Sequence, residues 1–170
     1  MTDVVLPALE QCCEEGWFDP SAAERSAGIE PLSGIMDTGG RSGQLHYLCY
    51  DSAKFDAIRE QGATATFRGA IVISHGFTEF AEKYDELVWY FLLAGYSVCV
   101  LEHRGHGKSA RDVDNRCMVW IDDWQRYVAD LAGFAETIGQ QYAAGMPLNL
   151  FCHSMGGGIG AAVLERYPTL

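Results

Sequence analysis

Leu148-Asn149-Leu150-Phe151-Cys152-His153-Ser154-Met155-Gly156-Gly157-Gly158 is the stretch on which the reading of the fold turns. A short apolar run with the character of a buried strand leads into a serine, and small residues follow at once. Helical character then continues from about Ser154 to Tyr167. A serine on so tight a strand-to-helix turn is held in strained φ/ψ with its Oγ pushed clear of the backbone. Residues two before and two after must be small, and here they are Cys152 and Gly156. Ser154 is therefore read as a nucleophile. Its bland rival is a helix N-cap, a common use of serine.

The elbow has a partner earlier in the chain. Ala70-Ile71-Val72-Ile73-Ser74 is another apolar, β-branched run, and the loop His75-Gly76-Phe77-Thr78 follows it. An N-cap does not explain that second motif. Acyl transfer needs two N–H donors for the oxyanion. Met155 N–H, at the head of the helix whose dipole favours negative charge, is one candidate. Phe77 N–H is the other.

Between and around these motifs, strand and helix signals alternate. Helix is expected from about Ala81 to Ala94, with Gly95 as C-cap, then strand over Tyr96–Leu101. Ile121, Trp124, Val128, Leu131, Phe134, Ala135 and Ile138 mark one face of a further helix. Such alternation predicts an α/β fold with a mostly parallel sheet and helices on both faces. Gly34–Thr38 and Gln44–Tyr50, around the turn cluster at 39–43, predict an antiparallel hairpin at its start. Residues 1–32 read as a lead-in segment, helical over Val4–Cys13 and then irregular, and residues 33–170 as the domain proper.

Composition narrows the function classes. The net charge of −11, from 23 acidic and 12 basic residues, argues against a nucleic-acid partner and against docking on anionic membranes. No secretory leader or apolar run long enough for a membrane anchor is visible. None of the six cysteines forms a C-x-x-C pair, and Cys49, Cys99 and Cys152 sit in apolar strand-like runs. They read as buried reduced thiols of a cytoplasmic protein. Gly156-Gly157-Gly158-Ile159-Gly160-Ala161 formally fits a dinucleotide-binding turn, but three strands precede it, so the glycines are read as packing devices. Gly107-Lys108-Ser109 lacks the first glycine of a P-loop, that position being Glu102. Glu102, His103 and His106 cluster without a metal-binding spacing. No cofactor and no metal are expected.

Three stretches together resemble the monoacylglycerol lipase and lysophospholipase branch of the α/β-hydrolases. They are Ile73–Glu79 with Lys83-Tyr84, Gly95–Val98 through Glu102–Ser109, and His153–Gly157. The resemblance covers residues 40–168. It implies hydrolysis of a small lipid ester by a Ser–His–Asp triad under a lid, with the Phe77 and Met155 amides in the oxyanion hole. It assigns the Arg104 loop to bracing the site. Only 16 residues follow Ser154, and triad order in this fold is serine, acid, histidine. None of His46, His75, His103, His106 or His153 stands where the base belongs. The expectation is thus the amino-terminal part of such a domain, inactive and poorly soluble alone. The alternative is a non-catalytic binding module on the same fold.

Overall fold

The structure, a computed structural model, describes residues 4–30, 42–58 and 65–170. It opens with helix α1 (Val5–Cys12), strand β1 (Cys13–Phe18) and helix α2 (Ser21–Ser26). Strand β2 (Leu45–Tyr50), helix α3 (Ser52–Ile58) and strand β3 (Gly69–Ser74) follow. A 3-10 turn at Ala81–Tyr84 leads into helix α4 (Asp85–Leu93), and strand β4 (Tyr96–Leu101) comes next. Helix α5 (Gln125–Phe134) continues through a π turn at Ala135–Gly139 into α6 (Gln140–Ala143). Strand β5 (Leu148–Cys152) and helix α7 (Met155–Arg166) complete the order.

The strands form one sheet in the order β1-β2-β4-β3-β5. Strands β3, β4 and β5 run parallel, while β1 and β2 join antiparallel to each other and to β4. The period of two along each strand sorts side chains to opposite faces. Ile71, Ile73, Val98 and Val100 face α1, α3 and α4, together with Val88 and Leu92. Val72, Cys99 and Leu101 face α5 and α7, against Leu131, Phe134, Ile159 and Val163. Because both faces are covered, β3 is buried at all six positions, which is why its sequence is apolar without alternation.

Several sequence expectations change. The antiparallel partner of β2 is β1, paired from Cys13↔Tyr50 to Phe18↔Leu45. The other edge of β2 is taken by β4, and the Gly34–Thr38 strand expected beside it lies outside the described residues. The stretch read as a lead-in therefore contributes a strand to the sheet. Its sequence, Cys-Glu-Glu-Gly-Trp-Phe, hides this because an edge strand tolerates exposed glutamates. Gly16 sits there because a Cβ would run into the Tyr47 ring. The helix expected from Ile121 starts instead at Gln125, where Asp123 Oδ1 accepts the Gln125 N–H at 2.9 Å. Trp124, placed on the apolar face by periodicity, is half exposed and lies under the Arg166 guanidinium, 5.3 Å from its ring centre. All six cysteines are free thiols, with Cys12, Cys49 and Cys99 buried.

The glycines of α7 divide into two kinds. A Cβ on Gly156 would overlap the Ser74 carbonyl oxygen, and one on Gly160 would overlap Cys152 Sγ. Nothing lies within 4 Å of a Cβ on Gly157 or Gly158. Gly156→Ala is expected to lower the thermal unfolding midpoint sharply, at a cost of about 3 kcal/mol or more. Gly157→Ala and Gly158→Ala should leave it unchanged or raise it slightly, alanine being favoured in helices by up to about 1 kcal/mol. Equal losses at 156 and 158 would contradict this division.

Candidate active site

Parallel strands deliver their carboxyl ends to one edge of the sheet. The loops after β3, β4 and β5 therefore meet there, with β3 in the middle. Ser154 stands at the end of β5, exposed, with φ 52° and ψ −118°. A serine in this left-handed region is strained by roughly 1–3 kcal/mol. The His153 N–H donates to the Ser74 carbonyl at 3.0 Å, and Gly156 N–H returns to the His153 carbonyl at 2.9 Å. These bonds fasten the turn to the end of β3. Met155 is the first residue of α7, where backbone N–H groups have no intrahelical acceptor. Its N–H makes no hydrogen bond among the described residues. Neither does that of Phe77, in the loop after β3, whose side chain is 55% exposed.

One carboxylate joins that loop to the elbow. Glu79 Oε2 accepts from Gly76 N–H at 2.7 Å and from the Tyr84 hydroxyl at 2.6 Å, and pairs with His153 Nδ1 at 3.0 Å. Lys83 Nζ reaches Glu79 Oε1 at 3.2 Å. Burial alone would raise the Glu79 carboxyl, but these donors hold it far below the usual carboxylate range. Gly76 is hemmed in: a Cβ there would sit 2.8 Å from Glu79 Oε2 and 2.9 Å from His153 Nδ1.

Beneath the loop lies a group of buried histidines. His75 Nδ1 donates to the Gly76 carbonyl at 2.7 Å, while its Nε2 accepts the His103 N–H at 2.9 Å. Both contacts together require the neutral Nδ1–H tautomer. Holding the Gly76 carbonyl inward turns the other end of the same peptide plane, Phe77 N–H, away from His75. Burial depresses His75 to about 4 and carries His103 well below its ordinary value. His103 Nε2 pairs with Ser74 Oγ at 2.8 Å, and His106 packs edge-on against Phe77.

Glu102, at the end of β4, accepts from Ala81 N–H, Lys108 N–H and His46 Nδ1 at 2.9, 2.7 and 2.8 Å. Although burial opposes it, these bonds keep its carboxyl low. Arg104 is wholly buried, with Nη2 at 3.0 Å from Glu24 and 3.3 Å from Asp130. Arg126 shares Glu24 at 2.8 Å. This network, which sequence reasoning missed, joins α2, α5 and the loop after β4. Its one legible sign was an arginine between two histidines in a loop following an apolar strand. The five histidines thus all have partners other than Ser154, and none hydrogen-bonds its Oγ. Among the described residues no cluster of potential metal ligands is present and no helix is long and apolar enough to cross a membrane.

Residues 65–170 match the family model described as serine aminopeptidase, S33. The chain is 35% identical over 101 residues to a monoacylglycerol lipase of Mycolicibacterium smegmatis, covering 59% of this chain and 34% of that protein. It is 34% identical over 101 residues to lysophospholipase L2 of Escherichia coli K12, covering 58% and 28%. The matched part therefore spans about a third of these relatives' length. A carboxyl esterase from Bacillus coagulans shares the fold, with a TM-score of 0.64 at 22% identity over 93% of this chain and 41% of that one. A soluble variant of the Saccharomyces cerevisiae monoglyceride lipase, solved with a substrate analogue, gives 0.53 at 26% identity over 76% and 37%. The chain belongs to the serine aminopeptidase S33 family and has the α/β-hydrolase fold.

Neutral burial of His75 carries a pH signature. Its pKa is about 6.5 in the unfolded chain and about 4 in the fold, so the unfolded state takes up the proton first on acidification. The stabilisation is complete above pH ~6.5 and is lost progressively toward pH ~4, with about 2 kcal/mol gone by pH 5. Chemical denaturation at pH 7 and pH 5 should register that fall. His75→Gln, which cannot titrate, should reduce the fall by about 2 kcal/mol, leaving the part due to buried neutral His103; an unchanged slope would show that His75 is not a source of it.

Proposed function

We propose that this chain carries the nucleophile and the oxyanion hole of a serine carboxylic-ester hydrolase acting on lipid esters, monoacylglycerols or lysophospholipids. The observation that carries the reading is the pairing of a strained, exposed Ser154 at the head of α7 with two unoccupied N–H groups, Met155 and Phe77. In this reading Ser154 Oγ attacks the ester carbonyl and the carbonyl oxygen takes up negative charge. The Met155 amide stabilises that charge from the helix end, where the dipole helps, and the Phe77 amide from the opposite side. Collapse of the tetrahedral species expels the alcohol and leaves an acyl group on Oγ, which water then removes. The proton of Oγ goes to a group that the described residues do not bring to Ser154. The names of the relatives, a monoacylglycerol lipase and a lysophospholipase, support the ester class and the lipid character of the substrate.

Glu79 is assigned a positioning role. By fixing Gly76 and His153 to one oxygen atom, it sets the spacing between the Phe77 amide and Ser154.

A fluorophosphonate probe applied to the protein tests the assignment. Labelling is expected on Ser154 and should vanish in Ser154→Ala along with esterase activity. An unlabelled protein would instead favour a non-catalytic binding module. Glu79→Gln retains the side chain's size but not its charge, and should lower kcat on the order of 10- to 100-fold with little change in KM. An unaltered kcat would remove Glu79 from the positioning role.

A further inference from the structure

A cleft of about 310 Å³ opens beside the oxyanion loop, lined by Thr78–Phe80 on one side and by Gly105–Gly107, Arg111 and Arg116 on the other. Arg111 is 9% exposed, and its charge is treated unlike that of the other buried arginines. Arg104 and Arg126 are each matched to carboxylates. Arg111 forms no ion pair among the described residues. Its Nη1 donates to the carbonyls of Gly107 at 2.9 Å and Ser109 at 3.1 Å, which fixes the plane of the guanidinium. Its Nε is buried without a partner, and Nη2 makes no hydrogen bond among the described residues. Because Nε is closed off from solvent, Nη2 is the atom that can donate to an anion in the cleft, through a single charge-assisted bond. A buried cation without a counter-charge is costly, and Arg116, exposed on the same cleft, adds a second positive charge. The acidic neighbours do not answer it. Glu79, also in the lining, is engaged by four donors, and Glu102, beneath Gly107, by three. His106 is committed through Nδ1 to the Arg104 carbonyl.

We propose that this cleft is a subsite for an anionic headgroup, a phosphate diester or monoester on the glycerol of a lysophospholipid, held by Nη2 of Arg111 with Arg116 at the rim. The choice of ligand rests on the ester-hydrolase reading. The cleft lies between the loops after β3 and β4, and Ser154 lies on the other side of β3. The cleft is lined by Thr78 and Glu79, which directly follow Phe77, so a headgroup in it and a carbonyl at the Phe77 amide adjoin the same loop. The subsite makes the chain a discriminator between charged and neutral monoacyl lipids.

Binding and turnover test this separately. Calorimetric titration of the chain with glycerol 1-phosphate, glycerol and inorganic phosphate reads the subsite without any chemistry. Glycerol 1-phosphate should bind best, and glycerol not measurably. Arg116→Ala, at an exposed position, should weaken glycerol 1-phosphate by about tenfold. Arg111→Lys should weaken it similarly, because an ammonium has no fixed plane with which to hold the Gly107 and Ser109 carbonyls and still present an N–H to the cleft. Unchanged affinity in both variants, or binding of glycerol as tight as of its phosphate, overturns the proposal. Inorganic phosphate binding as tightly as glycerol 1-phosphate overturns the lipid source. In turnover, Arg116→Ala should lower kcat/KM for a lysophosphatidylglycerol about tenfold and leave that for the matching monoacylglycerol unchanged. Equal effects on both substrates overturn the proposal. Tight glycerol 1-phosphate binding with no hydrolysis of either lipid supports the subsite while overturning the hydrolase reading.

Discussion

The approach of Gly156 to the last residue of β3 is the contact on which the rest of the site depends. A Cβ at 156 would overlap the Ser74 carbonyl oxygen, so helix and strand meet backbone to backbone. The same carbonyl accepts the His153 N–H, and the Ser74 hydroxyl pairs with His103. One residue at the end of one strand thus fixes the elbow on one side and the loop after β4 on the other. Close packing of this kind permits few alternative arrangements, because interiors resist even small volume changes. The angle at which α7 leaves the sheet, and with it the direction of Ser154, follows from the missing side chain.

Polar groups rather than apolar ones hold the loops above that contact. Glu79 gathers the loop after β3, Glu102 gathers the loop after β4, and the Arg104–Glu24–Arg126 network ties that loop to α2 and α5. Loops cannot bury enough apolar surface to order themselves, and their backbone N–H groups need acceptors. Buried carboxylates with several donors meet both needs at once. A network of this sort is strong when complete and costly when one member is lost.

The central fold was legible because burial on both faces leaves a simple trace. The β3 and β4 runs are short, apolar and buried, while β5, at the end of the strand order, is only half-buried and keeps an exposed Asn149 among its apolar residues. The elbow and the loop after β3 were legible because strained or crowded backbone restricts residue choice at Ser154, Gly156 and Gly76. Strand β1 was not, since an edge strand with exposed Glu14 and Glu15 lacks the apolar alternation that marks a half-buried one. The glycine run at 156–160 was read correctly as a packing device only in part. Gly156 and Gly160 meet the sheet, whereas Gly157 and Gly158 face open space. Glu24 illustrates a more general gap. It lies 80 residues from Arg104 and 102 from Arg126, and no local pattern reports a contact at that separation.

The left-handed backbone at Ser154 has a consequence for how this domain tolerates change. Glycine is the residue that such a conformation prefers, so the most stable side chain at 154 is none at all. Stability and reactivity are therefore opposed at this one position. A lineage screened only for robustness would drift toward losing its hydroxyl. Its persistence here is a cost that folding alone gives no reason to bear.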